Sequence, residues 1–468
     1  MPLLQSIYGL LLGSRGGKSA RKLKKRKRAT AERVSGSSFA PAGDGTISAS
    51  PKILIADFIS DSGTKVTAEL TDILSRSETC EVFRAKRTLK LGKNGTLVEQ
   101  LYSAFEEGHG WLKDENADLL IWGSANDGVA EIRFIPAAPA SDSQPGTFGL
   151  GNVLTLASPI TDGLDAVLVA SALAAIGPGY RGARGRLGET LGKSLQDTKQ
   201  FLLEKPSSLP IEHYATLLTC IGNGFAAHAI IGGNSKRLAH ATSAYRVALK
   251  QVSAESEPVI WALAQSHLAS ALRAMGDREK DQERYKEAAA AYKTITESLS
   301  RIEQPFDWAL AHINHGLVLY RLGAKSGRAV YFQESSKSFE EALSVYTKEI
   351  MPGRWAEVTN QYGVVLMALG ELVTGNVTLE LAVKRFRMSL EVRKRERVPL
   401  LWAQTANNLG AACFSLAKRN SEVSLLREAS TCFEGATDVY KQSGEMKKAE
   451  IIESNRARVE RLLSARNG

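Results

Sequence analysis

The stretch Pro305–Ala309 (Pro-Phe-Asp-Trp-Ala) decides the fold, because its Pro-x-x-Trp-Ala pattern returns along the chain at a constant interval of 47 residues. The other copies begin at Pro258, Pro352 and Pro399, and a degenerate copy stands upstream at Tyr214. Four of the six tryptophans in the chain occupy one column of this register: Trp261, Trp308, Trp355 and Trp402. A constant interval of this length is the signature of structural repeats that stack on one another.

Two more columns keep the same register. A small residue follows each aromatic residue at a fixed distance: Gly222, Ala269, Gly316, Gly363 and Gly410. Further along each copy stands a second aromatic residue: Tyr245, Tyr292, Phe339, Phe386 and Phe433. Small residues let two helix backbones approach closely, and a large aromatic side chain fills the space between them. Proline is tolerated at the first position of a helix, so each copy predicts one pair of helices.

These columns resemble the tetratricopeptide repeat, whose order of residues appears in Gly222, Ala241, Tyr245, Ala248, Leu249 and Pro258. The resemblance covers residues 211–445 and implies five helix pairs in a solenoid whose first helices line a concave face. The interval exceeds the roughly 34 residues of that family. We therefore expect longer connections within the pairs, at Ala324–Tyr331 and Asn420–Leu425. Residues 446–468 are predicted to cap the last repeat, and 185–210 to form a linking or capping helix before the first.

The pattern of apolar and polar residues in 51–184 is typical of a small α/β domain. Apolar runs predict strands near 53–58, 80–83, 119–123, 129–135 and 153–157, and helices are predicted at 61–75, 97–112 and 162–176. The motifs Ile53–Phe58 and Ala117–Gly123 resemble the TolB-type amino-terminal domain over residues 51–138, which implies a fold but no catalytic residue. The chain is therefore predicted to be multidomain and mainly α, with a small α/β N-terminal domain followed by an α-helical tetratricopeptide-like solenoid.

The net charge of +10 belongs almost entirely to the N-terminal residues. Residues 1–50 are predicted to form a disordered basic tail and linker, with its strongest cluster at Lys22, Lys24, Lys25, Arg26, Lys27 and Arg28. Three interpretations stay open for this tail: solvation alone, contact with an anionic membrane surface, and contact with nucleic acid or an import receptor. The apolar run Leu3–Leu12 precedes the charges, unlike a secretory signal. We expect a cytoplasmic, bacterial protein, peripheral at the membrane if the tail binds there.

Few residues predict chemistry. Gly177–Gly182 matches G-x-G-x-x-G, but the preceding segment is helical in character and Pro178 removes one amide that a phosphate site needs. Gly188–Ser194 imitates a phosphate loop without its first glycine, and is predicted to be helix. His312 and His315 are three residues apart on a predicted helix, and two histidines at that spacing can bind one metal ion. No third ligand stands nearby in the sequence. We predict no catalytic residue, metal, cofactor or small-molecule substrate, and no enzymatic activity.

A stripe of uncharged polar residues follows the tryptophan column on successive first helices. We call it the amide stripe: His267, Asn314, Gln361 and Asn408, with Asn360 and Asn407 immediately before two of them. Such donors and acceptors suit the capture of a polypeptide in a groove. The alternative is that they cap or bridge neighbouring helices within the solenoid.

The sequence thus predicts an adaptor or scaffold that binds another protein or peptide segment on the concave face of its solenoid. The competing hypothesis is a ligand-sensing or signalling protein. In that case the α/β domain binds a small molecule or nucleotide near Gly177–Gly182, and the repeats transmit the signal.

Overall fold

The computed structural model describes most of the chain after residue 49. The described ranges are 50–77, 80–92, 94–126, 128–138, 144–148, 153–157, 159–160, 164–177, 184–206, 209–234 and 236–467. The fold divides into two compact units, of which the first ends at Lys325 and the second begins at Ser326. The domain borders expected from the sequence stay predictions.

A mixed β-sheet opens the first unit. In the described residues its strands are β1 (Lys52–Ile55), β2 (Glu81–Arg84), β3 (Leu119–Asn126), β4 (Val129–Pro136) and β5 (Leu154–Ala157), in the order β2-β1-β3-β4-β5. β1 pairs in parallel with β2 and β3, while β4 is antiparallel to both β3 and β5. The helices α1 (Lys65–Arg76) and α2 (Leu97–Asp114) connect the parallel strands. The predicted small α/β domain is confirmed.

One glycine sets how closely β3 and β4 pair. A Cβ atom placed on Gly123 would lie 1.7 Å from the carbonyl oxygen of Glu131 on β4, so this position accepts no side chain. The next helix, α3 (Asp165–Ile176), is buried continuously from Val167 onward. It packs against β3, β4 and α1 on one side and against the first repeat helix on the other. The sheet and the first repeats therefore belong to one compact body.

Helices make up the rest of the first unit. They are α4 (Arg184–Asp197), α5 (Ile211–Ile231), α6 (Lys236–Ala248), α7 (Pro258–Glu279), α8 (Gln282–Ser298) and α9 (Pro305–Ser326). The phosphate-loop-like stretch Gly188–Ser194 lies inside α4 and is helical, as predicted. Among the described helices, α5 is long and apolar enough to cross a membrane, but 83% of its apolar window is buried inside the fold. A helix that is apolar on all sides is typical of a protein core.

The second unit consists of helices throughout its described residues. They are α10 (Ala329–Leu343), α11 (Pro352–Leu372), α12 (Val377–Val392), α13 (Pro399–Asn420), α14 (Val423–Gln442) and α15 (Met446–Asn467). α11 packs on α12, α13 on α14, and α15 covers α14 with a row of buried residues that includes Ala449, Ile452 and Val459. The predicted repeating helical architecture is confirmed.

The expectation of long connections within the pairs is wrong. Only two residues separate α9 from α10 and α13 from α14, in the segments where the longer turns were expected. The first helices instead run to 21 or 22 residues, which is about six turns. Left-handed residues end two of them, α7 and α13, with φ of 58° at Lys280 and 62° at Ser421. The extra length lies in these first helices and in the connections from each pair to the next, such as residues 344–351.

Glycines of the small-residue column lie against the aromatic column in three of the pairs, which are α5 with α6, α11 with α12, and α13 with α14. A Cβ on Gly363 of α11 would lie 2.7 Å from Cε1 of Phe386 on α12, and one on Gly410 of α13 would lie 3.0 Å from the same atom of Phe433 on α14. The five aromatic rings of this column have no exposed surface. The tryptophan column lies further out, with Trp308 and Trp355 buried and Trp261 and Trp402 partly exposed.

Candidate functional site

The amide stripe is largely buried. His267 on α7 and Asn314 on α9 lie in the first unit, whereas Asn360 and Gln361 on α11 and Asn407 and Asn408 on α13 lie in the second. Five of these six residues have between 1% and 7% of their surface exposed, and Gln361 is partly exposed. The stripe therefore presents little surface to a partner in this conformation.

Hydrogen bonds between neighbouring helices account for part of the stripe. Asn408 donates from Nδ2 to Oδ1 of Asn360 at 3.2 Å, which joins α13 to α11. In the first unit, Nδ2 of Asn223 on α5 lies 3.4 Å from Nε2 of His267. The hydroxyl of Tyr245 donates to Oδ1 of the same asparagine at 2.8 Å. These contacts favour the alternative in which the stripe bridges helices.

Three oxygens of the stripe remain without a hydrogen-bond partner among the described residues: Oδ1 of Asn314, Oε1 of Gln361 and Oδ1 of Asn407. An unsatisfied buried acceptor costs about 1–3 kcal/mol. Such groups call for an explanation in a native fold, and a ligand or an ordered water is the usual one.

A cavity of about 220 Å³ lies inside the first unit, between the sheet and the first helices of the repeats. We call it the sheet–helix cavity. Glu131, Gln144, Thr147, Val153 and Thr155 line it from the side of β4 and β5. Helix residues complete the wall, among them Leu263, Ser266, His267, Asp307, Leu310 and Asn314. Two residues of the amide stripe thus line a cavity that the α/β domain helps to form.

Two carboxylates, Glu131 and Asp307, line this cavity. Burial raises the pKa of Asp307 to about 6, and the nearby Arg133 guanidinium of β4 opposes that shift. Burial lowers the pKa of His267 to about 4. The imidazole is therefore neutral at pH 7, and its ring stacks on Tyr245 with centroids 5.7 Å apart. Among the described lining residues there is no lysine or arginine.

A second concave surface lies in the second unit, between the end of α13 and the last turns of α15. We call it the basic groove; its volume is about 550 Å³, and it is lined by Phe414, Lys418, Arg458, Arg461, Leu462, Ala465 and Arg466. Arg466 donates from Nη1 to the carbonyl oxygen of Ala417 at 3.1 Å, which fixes the end of α15 against α13.

The cations of the basic groove differ from others on the same helix. Arg456, also on α15, forms an ion pair with Glu434 at 3.1 Å and lies near Glu460. Within the described chain, none of Lys418, Arg458, Arg461 and Arg466 has a carboxylate within ion-pair distance. Four positive charges therefore surround an apolar floor without compensation.

Other candidate residues are placed as follows. The tail cluster Lys22–Arg28 lies outside the described residues, and of Gly177–Gly182 only Gly177 is described. His312 packs against the ring of Trp308 with centroids 4.1 Å apart, and burial lowers the pKa of His312 and His315 to about 4. No group of three metal-ligating side chains occurs among the residues described.

Sequence reasoning missed both concave surfaces. Gln144 and Asn314 lie 170 positions apart in the chain, and no periodicity links a loop of the α/β domain to a repeat helix. The cationic residues of α15 are visible in the sequence, but there they predict only a solvated cap. Their lack of acidic partners becomes apparent only when α13 is placed beside them.

Comparisons with known proteins give the following. No family model matches the chain, and no curated protein sequence matches it. Among solved structures, the chain is similar to BtubC (BKLC) from P. vanneervenii, with 18% identity and a TM-score of 0.33 over 61% of this chain and 93% of that one. It is also similar to a circular tandem repeat protein with novel repeat topology, with 14% identity and a TM-score of 0.24 over 65% and 72% of the two chains.

A third similar structure is the APC/C hetero-tetramer Cut9-Hcn1, with 14% identity and a TM-score of 0.14 over 65% of this chain and 90% of that one. The assignment of this chain to helical-repeat proteins rests on its own helix pairs. The resemblances of residues 211–445 to tetratricopeptide repeats and of residues 51–138 to the TolB type stay predictions.

Proposed function

We propose that the protein is a non-catalytic scaffold that binds an acidic segment of another polypeptide, and that the basic groove is the place of contact. The observation that carries this proposal is the set of four cations without acidic partners, among the described residues, around the floor formed by Phe414, Leu462 and Ala465. Exposed charges of one sign attract a segment of the opposite sign and orient it. The apolar floor supplies a contact for an aliphatic side chain of that segment.

An acidic polypeptide fits this groove better than nucleic acid does. Phe414 is only 9% exposed, and Nζ of Lys418 lies 5.8 Å from the centroid of its ring. The ring therefore offers no open face on which a base could stack, as single-strand binders require. The chain outside its N-terminal tail is also nearly neutral, whereas non-specific nucleic-acid binding depends on many phosphate contacts.

For the part of the amide stripe formed by His267, Asn360 and Asn408 we propose the bridging role. The buried bond between Asn408 and Asn360 supports it. A partner that bound the stripe would have to break such contacts. The sequence-based proposal of capture on the concave face is tested by alanine at Asn314, Gln361 and Asn408 together. That variant should lose thermal stability if the residues bridge helices, and should lose only partner binding if they line an open groove.

The experiment for the basic groove uses the full chain and a labelled peptide rich in Glu with Leu anchors, followed by fluorescence anisotropy. Arg458→Glu together with Arg461→Glu should weaken binding by about tenfold or more, because reversal of the charges repels the acidic segment. Binding should also weaken as salt rises, since exposed charges are screened over about 8 Å at physiological ionic strength.

Lys447→Glu is the matched control. Lys447 is an exposed cation of the same helix, α15, outside the groove and without an acidic partner among the described residues. Its reversal should change the affinity by less than about twofold. Equal losses in the control and the groove variant would contradict the proposal. Tighter binding of single-stranded DNA than of the acidic peptide would also contradict it.

The N-terminal tail and the location are further proposals from the sequence. We propose a cytoplasmic protein, and for its basic tail three interpretations stay open: solvation alone, contact with an anionic membrane surface, and contact with nucleic acid or an import receptor. Vesicle flotation and a salt-titrated DNA shift, each repeated without residues 1–35, distinguish these two contacts from solvation alone.

A further inference from the structure

The sheet–helix cavity contains an acceptor and a donor that nothing in the described structure satisfies. Oδ1 of Asn314 has no hydrogen-bond partner among the described residues, and Asn314 is only 1% exposed. Nε2 of Gln144, which lines the same cavity from the loop that precedes β5, is buried and likewise has no described partner. The two side chains come from different layers of the first unit, so local sequence does not explain why they line one cavity.

Apolar side chains form much of the remaining wall. Leu263 of α7 and Leu310 of α9 line the cavity, and so do the buried side chains of Ile295 and Leu299 at the end of α8. Water molecules would satisfy the two amides by hydrogen bonds. They would also lie against the aliphatic side chains, where a buried water lacks the two to four polar partners that it needs. A molecule with one polar edge and an apolar body matches both parts of the wall.

The electrostatics exclude an anionic ligand. The described lining residues include no lysine or arginine to hold an anion. Two carboxylates, Glu131 and Asp307, line the cavity, and the Arg133 guanidinium is near Asp307. His267 is neutral at pH 7 because burial holds its pKa near 4. An anion would lose its hydration here without gaining a counter-charge, and the two amide groups match a neutral polar edge of a ligand.

The volume limits the ligand as well. At about 220 Å³, the cavity lies below the roughly 300–1,000 Å³ that is typical of sites for drug-sized molecules. A single small ring fits this space, and a nucleotide does not.

We propose that the sheet–helix cavity binds a small uncharged cyclic amide, in which an N–H donor stands beside a carbonyl acceptor, as in a pyrimidine base or a lactam. The ligand donates its N–H to Oδ1 of Asn314 and accepts from Nε2 of Gln144. Its body packs on Leu263 and Leu310. This site is separate from the basic groove and does not depend on it.

The probes are uracil, 1,3-dimethyluracil and orotate, with the full chain and ligand-observed saturation-transfer NMR as the readout. Uracil should bind with a Kd of about 1 mM or tighter. Dimethyluracil lacks both N–H donors, and orotate carries a negative charge, so neither should give a comparable signal. Binding of all three alike, or of none, would overturn the proposal. If water alone fills the cavity, none of the three probes will bind, and the proposal is wrong.

Asn314→Leu removes the acceptor with little change of volume and should weaken uracil binding by about tenfold or more. Asn407→Leu is the matched control, because Asn407 is a buried asparagine on a first helix whose Oδ1 likewise lacks a described partner. Its substitution should leave binding within about twofold. Equal effects of the two substitutions would refute the assignment. Should the Asn314 variant not fold, Gln144→Leu removes the donor from a loop and must also weaken binding.

Discussion

Replacement of Gly363 by alanine tests the packing on which the repeats depend. The new Cβ would lie 2.7 Å from Cε1 of Phe386, against a lower limit of 3.4 Å for ordinary contact, so the ring must retreat by about 0.7 Å. That ring is completely buried. Overpacking of this kind costs about 1–3 kcal/mol. Alanine regains about 1 kcal/mol of helix propensity over glycine, so the net loss of unfolding free energy should be between zero and about 2 kcal/mol.

The same helix provides the control. A methyl group added at Gly353, near the start of α11, would have no atom within 4 Å, so Gly353→Ala should gain up to about 1 kcal/mol. Phe386→Leu combined with Gly363→Ala should be more stable than the sum of the two single changes by about 1 kcal/mol, since the new methyl occupies space that the ring leaves. Urea denaturation followed by circular dichroism measures all four variants. Equal stability of Gly363→Ala and Gly353→Ala, without coupling in the double variant, would refute the close-packing argument.

Two more predictions concern buried polar groups. Asn408→Ala removes the donor to Oδ1 of Asn360 and should cost about 1–3 kcal/mol, measured as a lower urea midpoint; an unchanged midpoint would argue against bridging. His267→Gln should flatten the pH dependence of stability. Burial lowers the pKa of His267 from 6.5 to about 4, so its contribution is fully present above pH 6.5 and is lost as the pH falls toward 4. The loss amounts to about 3 kcal/mol. Parallel curves of unfolding free energy for wild type and variant between pH 7.5 and 4.5 would contradict this origin.

Much of the fold was predictable because the same residue types recur at the same positions in every repeat. One column of tryptophans and one of small residues located the helix pairs, because every copy packs its two helices with similar residue types. The turns within the pairs were less predictable. Left-handed helix ends usually carry glycine, but Lys280 and Ser421 adopt that conformation here, and neither residue signals it in the sequence.

The sequence also could not show whether the amide stripe faces solvent or a neighbouring helix. Its spacing placed the residues on one side of successive first helices, but whether that side meets solvent depends on the angle at which the next helix packs. The contact between Asn408 and Asn360 shows that part of this side points at a neighbouring helix. In the sequence, a polar residue that hydrogen-bonds between two helices cannot be distinguished from one that binds another protein.

The sequence by itself determined which segments are helices, how often they recur and which small and aromatic residues meet within a pair. These properties depend on local periodicity and on contacts between near neighbours in the chain. The tertiary structure alone decided that Gln144 and Asn314 share a cavity, and that Lys418 and Arg466 share a groove without acidic partners among the described residues. Those outcomes depend on how separate elements pack, and burial and charge balance at such junctions are properties of the assembled fold rather than of any one segment.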